Sequence, residues 1–405
     1  MRTEKAFIAL LGLLIGLSPL AIDMYLPSMP AIASGLGAST EAVQQSLTVF
    51  LIAFSLPQLI FGPLSDALGR RFVILTGLGL FIGGSLLCAL AGDITWLLVA
   101  RALQAAGASA MAVTVPALVK DRYSQESFAR TMSFIMMVMA VAPLLAPLMG
   151  GLVLTVGGWR LIFWVLALIA LAGLLLFHRY IDETLAIEKR SPLHLGKQLD
   201  NYRRLLGDRH ALCHMLSAGF MFAGMMAFVA ASPFVYIELY GVPEQYYGFL
   251  FGLNIITLMT LTMLANRFTH QGSKRILTTA FAIIALVCSL LIALSLIPDP
   301  PLVLVVLGAM FFIGSYGAIS AHTMSVVMNR FAGISGSASA VGGTLRFGTG
   351  SLGGAAVGLL HDGSGMPMTL VMSACGILAV LTYAAAGKPP PATTTCTQPR
   401  EAEAA

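Results

Sequence analysis

The chain has 405 residues, 58% of them apolar and 10% charged, with 41 glycines and a formal net charge of +5. A mean hydropathy of +0.87 excludes a soluble globule and points to a membrane protein. The basic residues are scattered over the stretches between apolar runs, so the positive charge reads as membrane topology and not as a nucleic-acid surface.

Cut at its apolar runs, the sequence predicts twelve segments, at about 6–27, 43–64, 72–92, 96–117, 130–154, 160–178, 211–236, 246–266, 276–297, 301–323, 337–360 and 366–386. Each is long enough to cross a hydrocarbon core of ~30 Å. Only helices satisfy the backbone in lipid here, because the alternation of a membrane barrel is absent. Arg2 and Lys5 precede the first run. That run, Ala6 to Ile22, exceeds a typical signal-peptide core and no small-residue cleavage site follows closely, so it is expected to be retained. Of the 23 Lys and Arg residues, all but Arg101, Arg160 and Arg346 fall in even-numbered loops or at the ends. The positive-inside rule then predicts two cytoplasmic termini.

The long loop from Arg179 to His210 separates six spans from six. Its second half alternates Leu195, Leu199, Tyr202, Leu205 and Leu206 with Lys197, Arg203 and Arg204, the pattern of a basic amphipathic helix. Such a helix would lie on anionic inner-leaflet lipids; a solvated linker fits the same residues. The expected organisation is a six-helix half over 1–178, a linker over 179–210, a second half over 211–386 and a disordered cytoplasmic tail over 387–405. Two such halves around a midplane cavity are a carrier arrangement. The five cysteines, Cys88, Cys213, Cys288, Cys375 and Cys396, have no metal-site spacing and no periplasmic pair, so neither a metal centre nor a disulfide framework is expected.

Charge inside the spans carries the chemistry. Asp23 lies near the outer end of span 1, and Arg101 lies inside the outer end of span 4. At 1.5 Å per residue the two sit at similar depth, which suggests a coupled pair and a proton switch. The competing reading is that Asp23 reaches the interface and caps loop 1. Gln104, one turn from Arg101, shares its face. Arg346 is midway along span 11 with no acid nearby in sequence, and substrate binding, pairing and support of backbone carbonyls all fit it. Candidate cavity residues are Tyr25, Gln104, Met136, Met139, Tyr236, Asn254, Tyr316 and Arg346, with Phe50, Phe54, Met225 and Phe228; Met and aromatic side chains form forgiving apolar surfaces. The turn after span 2, Gly62 to Arg71, places Asp66 beside a helix start and Arg70 and Arg71 beside acids or phosphates. In span 5, Pro143 and Pro147 open the hydrogen-bond ladder, and Ala142, Ala146, Gly150 and Gly151 permit close helix contact. No nucleotide loop, metal site or nucleophile triad is found, so an ion gradient is the expected energy source and no cofactor is expected.

These motifs resemble the major facilitator superfamily. Gly62, Asp66, Gly69, Arg70 and Arg71 match its loop signature, and the resemblance implies a latch between conformations. Arg101-x-x-Gln104 resembles its fourth-span motif, tied to proton transfer, with Ala105 in place of a glycine. Ala142, Ala146, Pro147, Gly150 and Gly151 resemble the antiporter motif, with Ala142 and Ala146 in place of two glycines. The run Ala21-Ile22-Asp23-Met24-Tyr25-Leu26-Pro27, with Pro233 to Glu238 and Arg346-Phe347-Gly348, is similar to the bicyclomycin-resistance (Bcr/CflA) exporters over residues 6–386. The resemblance implies an all-α fold of twelve helices in two pseudo-symmetric halves. It also implies proton-driven efflux of bicyclomycin- and chloramphenicol-like drugs across a bacterial inner membrane, by a monomer. The rivals are a metabolite exporter, an uptake symporter, and a non-transport scaffold or sensor.

Overall fold

Lipid offers no partners to the backbone, so each apolar run closes its hydrogen bonds within a helix. In the computed structural model, which describes residues 4–123, 125–186, 190, 195–297, 300–331 and 334–387, those helices are thirteen in number. They are α1 (Glu4–Asp23), α2 (Met29–Leu36), α3 (Thr40–Leu68), α4 (Arg70–Ala89), α5 (Ile94–Arg122), α6 (Gln125–Tyr180), α7 (Leu195–Gly207), α8 (Arg209–Pro233), α9 (Glu244–Arg267), α10 (Ser273–Ser295), α11 (Leu302–Arg330), α12 (Ser335–Leu359) and α13 (Met366–Ala385). Ten described segments are long and apolar enough to cross a membrane. The 56 residues of α6 would extend about 84 Å as one rod, far beyond a bilayer, so α6 holds two crossings. The break falls at Gly157 and Gly158, where Gly158 takes φ +70, open to a residue without Cβ. α12 adds a further crossing whose Gly, Ser and Thr content and Arg346 lower its hydropathy. With these, twelve crossings stand where twelve were expected.

Two details differ from the sequence expectation. The first apolar run stops as a regular helix at Asp23, passes through a short turn at Leu26–Ser28 and resumes as α2. Pro27 and Pro30 lack the N–H groups that would continue the ladder. The predicted linker helix forms α7, but it docks on the protein. Leu205 is buried with Ala211, Met215, Val327, Ala338 and Val341, while Ser337 pairs with Gln198 and Asn201. Leu199 and Leu206 remain 51% and 45% exposed on the outer side, with Arg203 and Arg204. The predicted tail beyond Gly387 lies outside the described residues.

Helices pack through small residues, as expected where lipid removes the hydrophobic drive for association. A Cβ at Gly107 would overlap the backbone of Gly77 and Phe81, setting the α4–α5 distance. A Cβ at Gly353 would overlap the backbone of Ala223, setting the α8–α12 distance. Gly353→Val should therefore separate α12 from α8, and we expect little folded monodisperse protein by size-exclusion chromatography in detergent. Leu56, Ile60, Leu168 and Leu286 point outward and make the apolar belt that lipid covers.

The six crossings of α1–α6 meet the six of α8–α13 along two seams, α3 with α12 and α6 with α9. In the half of the molecule that holds α2, both seams are close. Gly151 approaches the Glu244 carbonyl, Gly248 abuts Leu148, and Gly358 abuts Gln44. The other half, which holds α7, encloses the larger cavity described next.

Candidate substrate and proton site

Arg101 is fully buried on α5. Its Nη1 donates to the Ala21 carbonyl at 2.9 Å and to Gln104 Oε1 at 2.7 Å. The guanidinium carbon lies 4.6 Å from the Tyr25 ring centroid and 4.4 Å from that of Phe50. Its Nε and Nη2 have no hydrogen-bond partner among the described residues. The rings thus supply much of what an acid would, each desolvated cation–π contact contributing up to about 2 kcal/mol. Gln104 passes the network on by donating to Ser85 Oγ at 2.9 Å, and Tyr25 shares a 2.8 Å bond with Ser46.

Asp23 is 6% exposed and lines an apolar chamber of about 250 Å³ with Pro143, Met225, Met226, Phe251 and Asn254. The expected Asp23–Arg101 ion pair is absent in this state: no N–O approach within 4 Å joins them among the described residues. The reason is helical phase. Arg101 holds the Ala21 carbonyl, and Asp23 lies two residues on, about 200° around the helix. Arg101 therefore anchors the last turn of α1, while the Asp23 carboxylate faces the second half of the molecule.

A second chamber of about 380 Å³ adjoins the first, and Ser18, Met139 and Phe347 line both. Arg346 lines this larger chamber with Gln58, Thr323 and Ser339. Its guanidinium carbon is 4.6 Å from the Phe347 ring and 5.6 Å from the Phe222 ring. Asn254 lies in the Asp23 chamber; its Nδ2 donates to the Leu250 carbonyl, and its buried Oδ1 has no hydrogen-bond partner among the described residues.

Several expected cavity residues sit elsewhere. Tyr25 and Gln104 are spent on Arg101 inside the first half, away from both chambers. Tyr236 is buried against Phe228 and Tyr247, and Tyr316 stands behind Phe222. Met139, Asn254 and Arg346 do line the chambers, whereas the Met136 side chain lies outside the described residues. In the span 5 motif, Ala146 is fully buried, Gly150 meets the backbone of Met24, and Gly151 approaches Glu244 and Gln245 of α9. Pro147 lies between them on α6. These four positions thus serve helix packing, while Pro143 at the start of the same stretch lines the Asp23 chamber.

The turn cluster is tightly connected. Arg70 bonds Asp66 at 2.5 Å, Asp121 at 2.9 Å and Ser65 at 2.7 Å. Glu183 accepts from the backbone N–H groups of Arg70 and Arg71 at 3.0 and 3.1 Å, so it caps α4 from across the first half. Arg71 also donates to the His178 carbonyl at 2.9 Å. Gly69 takes φ +104, and a Cβ there would collide with the Glu183 carboxylate. Gly62 lies one turn before Asp66, near Val113. Asp121 and Glu183 were not foreseen; the sequence signals are an acid between Lys120 and Arg122 and an acidic pair, Asp182 and Glu183, shortly after Arg179.

At the other half, Asp208 caps α8 through Ala211 N at 2.9 Å and bonds Arg330 at 2.6 Å. Partial burial pushes its carboxyl upward, but hydrogen bonds from Arg330 and Ala211 and the Arg330 charge outweigh this and hold it below the ordinary value. A depressed folded-state pKa gives stability that is present above the ordinary carboxylate range, ~4, and is lost as pH falls through the lowered value. The melting-temperature advantage of the wild type over Asp208→Asn in detergent should be full at neutral pH and vanish on acidification below that range.

The description Major Facilitator Superfamily matches residues 11–354 of this chain. A bicyclomycin resistance protein homolog of Haemophilus influenzae is 35% identical over 392 residues, 95% of this chain and 97% of its own. An uncharacterised transporter of the same superfamily from Bacillus subtilis is 36% identical, covering 94% and 95% of the two chains. Multidrug resistance protein D of Escherichia coli is 30% identical, covering 92% and 94%. Among solved structures, a bacterial homologue of the lysosomal transporter Spinster, inward-facing and occupied, superposes with TM-score 0.74 at 15% identity over 95% of this chain and 96% of its own. A D-xylose-proton symporter gives TM-score 0.73 at 16% identity over 96% and 99% of the two chains. At such identities these two carry the fold alone. Taken with the two chambers between the halves, the matches make this chain a multi-pass membrane transporter and not an enzyme, and it belongs to the major facilitator superfamily, among the relatives of the bicyclomycin-resistance proteins.

Proposed function

We propose that this transporter is a proton-coupled antiporter that exports bicyclomycin- and chloramphenicol-like drugs from the bacterial cytoplasm by alternating access. The observation that carries the reading is Asp23: a carboxylate with no ion pair or hydrogen bond among the described residues, facing an apolar chamber between the two halves. A bare carboxylate at membrane depth costs roughly 3 kcal/mol, and a proton removes that cost. Protonation therefore changes the free energy of whichever arrangement keeps Asp23 in apolar surroundings, which is what a coupling residue must do. Arg101 acts on this step through the Ala21 carbonyl, holding the turn that carries Asp23.

The reading takes the protein as a monomer in the inner membrane, with both termini and the α7 helix on the cytoplasmic side. The larger chamber then lies in the cytoplasmic half, and the close seams at Gly151, Gly248 and Gly358 lie on the periplasmic half. This is an inward-facing arrangement, ready to load drug from the cytoplasm. Outward opening requires those seams to part and the turn cluster of Asp66, Arg70, Asp121 and Glu183 to rearrange or move as a body. The outward Leu199, Leu206, Arg203 and Arg204 of α7 suit contact with anionic inner-leaflet lipids.

Inverted membrane vesicles test the direction and the energy source together. Acidifying the lumen should drive labelled chloramphenicol into the vesicles, and an uncoupler should stop it. Proton-stimulated movement out of the vesicles would replace antiport by uptake symport.

A further inference from the structure

Among the described residues, Arg346 is the one charged side chain lining the larger chamber, and no Asp or Glu lines it. No ion pair is formed by Arg346 among the described residues, and its buried Nε has no hydrogen-bond partner. Its charge rests on two ring faces, Phe347 and Phe222. Those rings belong to a cluster that also contains Phe54 of α3, whose centroid is 4.6 Å from Phe347. Phe347 borders both chambers, so the guanidinium that rests on its ring stands beside the junction between them.

The charge of this position has a chemical consequence. A guanidinium has donors and no acceptor, and its charge is not lost at any working pH. In a small chamber walled by Met139, Phe54 and Phe347 the field of that charge is weakly screened. A cation entering this chamber meets repulsion with no acid among the chamber's lining residues to offset it; Asp23 lies in the adjoining chamber. A carbonyl, nitro or carboxylate group gains a charge-assisted hydrogen bond from a donor that is otherwise unpaired. The neighbouring Gln58, Thr323 and Ser339 add uncharged polar contacts around the same spot.

We propose that Arg346 is the charge filter of the substrate site: it docks an acceptor group on uncharged or anionic cargo and rejects cations. The Asp23 chamber, lined by Met225, Met226 and Phe251, then holds the apolar body of the same molecule. The filter rests on the export reading above, since it names the class of cargo that the export site takes. It also separates two charged residues by duty. Asp23 serves the proton, and Arg346 serves the acceptor end of the cargo.

Three fluorescent probes that share one dansyl ring test this: dansylglycine, an anion; dansylglycinamide, its uncharged amide; and a dansylamidoethyl-trimethylammonium cation. Binding is read from dansyl fluorescence on the purified full-length protein. The wild type should bind the amide at least about tenfold more tightly than the cation, and the anion no more weakly than the amide. Arg346→Gln should reduce that preference to within about threefold, and Arg346→Lys, which keeps the charge, should retain most of it. A wild type that binds the cation as tightly as the amide, or binds none of the probes, overturns the proposal without any variant. A correctly folded Arg346→Gln protein with an unchanged preference overturns it as well. Chloramphenicol export by wild-type vesicles separates the two readings. Export with no charge preference defeats the filter alone, and charge preference without gradient-driven export defeats the antiport reading alone.

Discussion

Asp23→Asn should lower gradient-driven chloramphenicol transport in inverted vesicles by about 100-fold, to the background of membranes lacking the protein. The magnitude follows from the roughly 3 kcal/mol that separates a charged from a neutral carboxylate at membrane depth, about two powers of ten in an equilibrium. Asparagine has nearly the same volume and no titration, so a proton gradient loses its point of action. The same change should not reduce the melting temperature in detergent. It removes a charge that has no partner among the described residues and leaves the Arg101–Ala21 contact in place. These paired outcomes distinguish coupling from folding. Wild-type transport in the variant would remove Asp23 from the mechanism, and a large fall in melting temperature would make it a structural residue.

The second large effect is expected at Arg101→Lys. Lysine keeps the charge but replaces a flat guanidinium by a compact ammonium. The stacking between Tyr25 and Phe50 at 4.6 and 4.4 Å depends on that flat shape, and the reach of the long side chain lets Nη1 donate to both Ala21 and Gln104. Losing one cation–π contact and one charge-assisted hydrogen bond costs about 3 kcal/mol together. We expect a lower melting temperature and at least a tenfold fall in export, with Tyr25 and Ser46 still paired. If Arg101→Lys transports and melts like the wild type, the positive charge alone matters and the ring sandwich is incidental.

Parts of this site were legible before any fold was known, and for a local reason. An ionised side chain inside an apolar run is conspicuous wherever it packs, so Asp23, Arg101 and Arg346 stand out in the sequence. The turn at Gly62 to Arg71 is legible because its residues act on one another within a single loop; Asp66 and Arg70 are one helical turn apart. Depth also came out correctly, since residue count along a helix measures it. Depth does not measure azimuth. Asp23 and Arg101 share a level but face different partners, because Tyr25 and Phe50 fill the space beside the guanidinium. Tyr25, Gln104 and Tyr236 were expected on the cavity wall and are packed inside a half for the same reason. A polar or aromatic residue on a buried helix has several buried directions available to it.

Two residues missed from the sequence make the point sharply. Glu183 lies more than a hundred positions from Arg70 and Arg71, yet it caps the helix that begins there. Asp121 closes the Arg70 cluster from the end of α5. Neither spacing nor composition links these positions, because their proximity is produced by six helices returning to one face.

By itself the sequence determined that this chain crosses a membrane twelve times, where the turns fall, and which few charges enter the apolar layer. Those properties follow from hydropathy and backbone satisfaction, which act on short stretches of chain. The tertiary structure alone decided that Asp23 faces a chamber and Arg346 the larger one, each without an ion pair among the described residues, and that Arg101 is held by rings and a carbonyl. Those are matters of which face of each helix meets which neighbour, and that is settled by close packing between segments far apart in the chain.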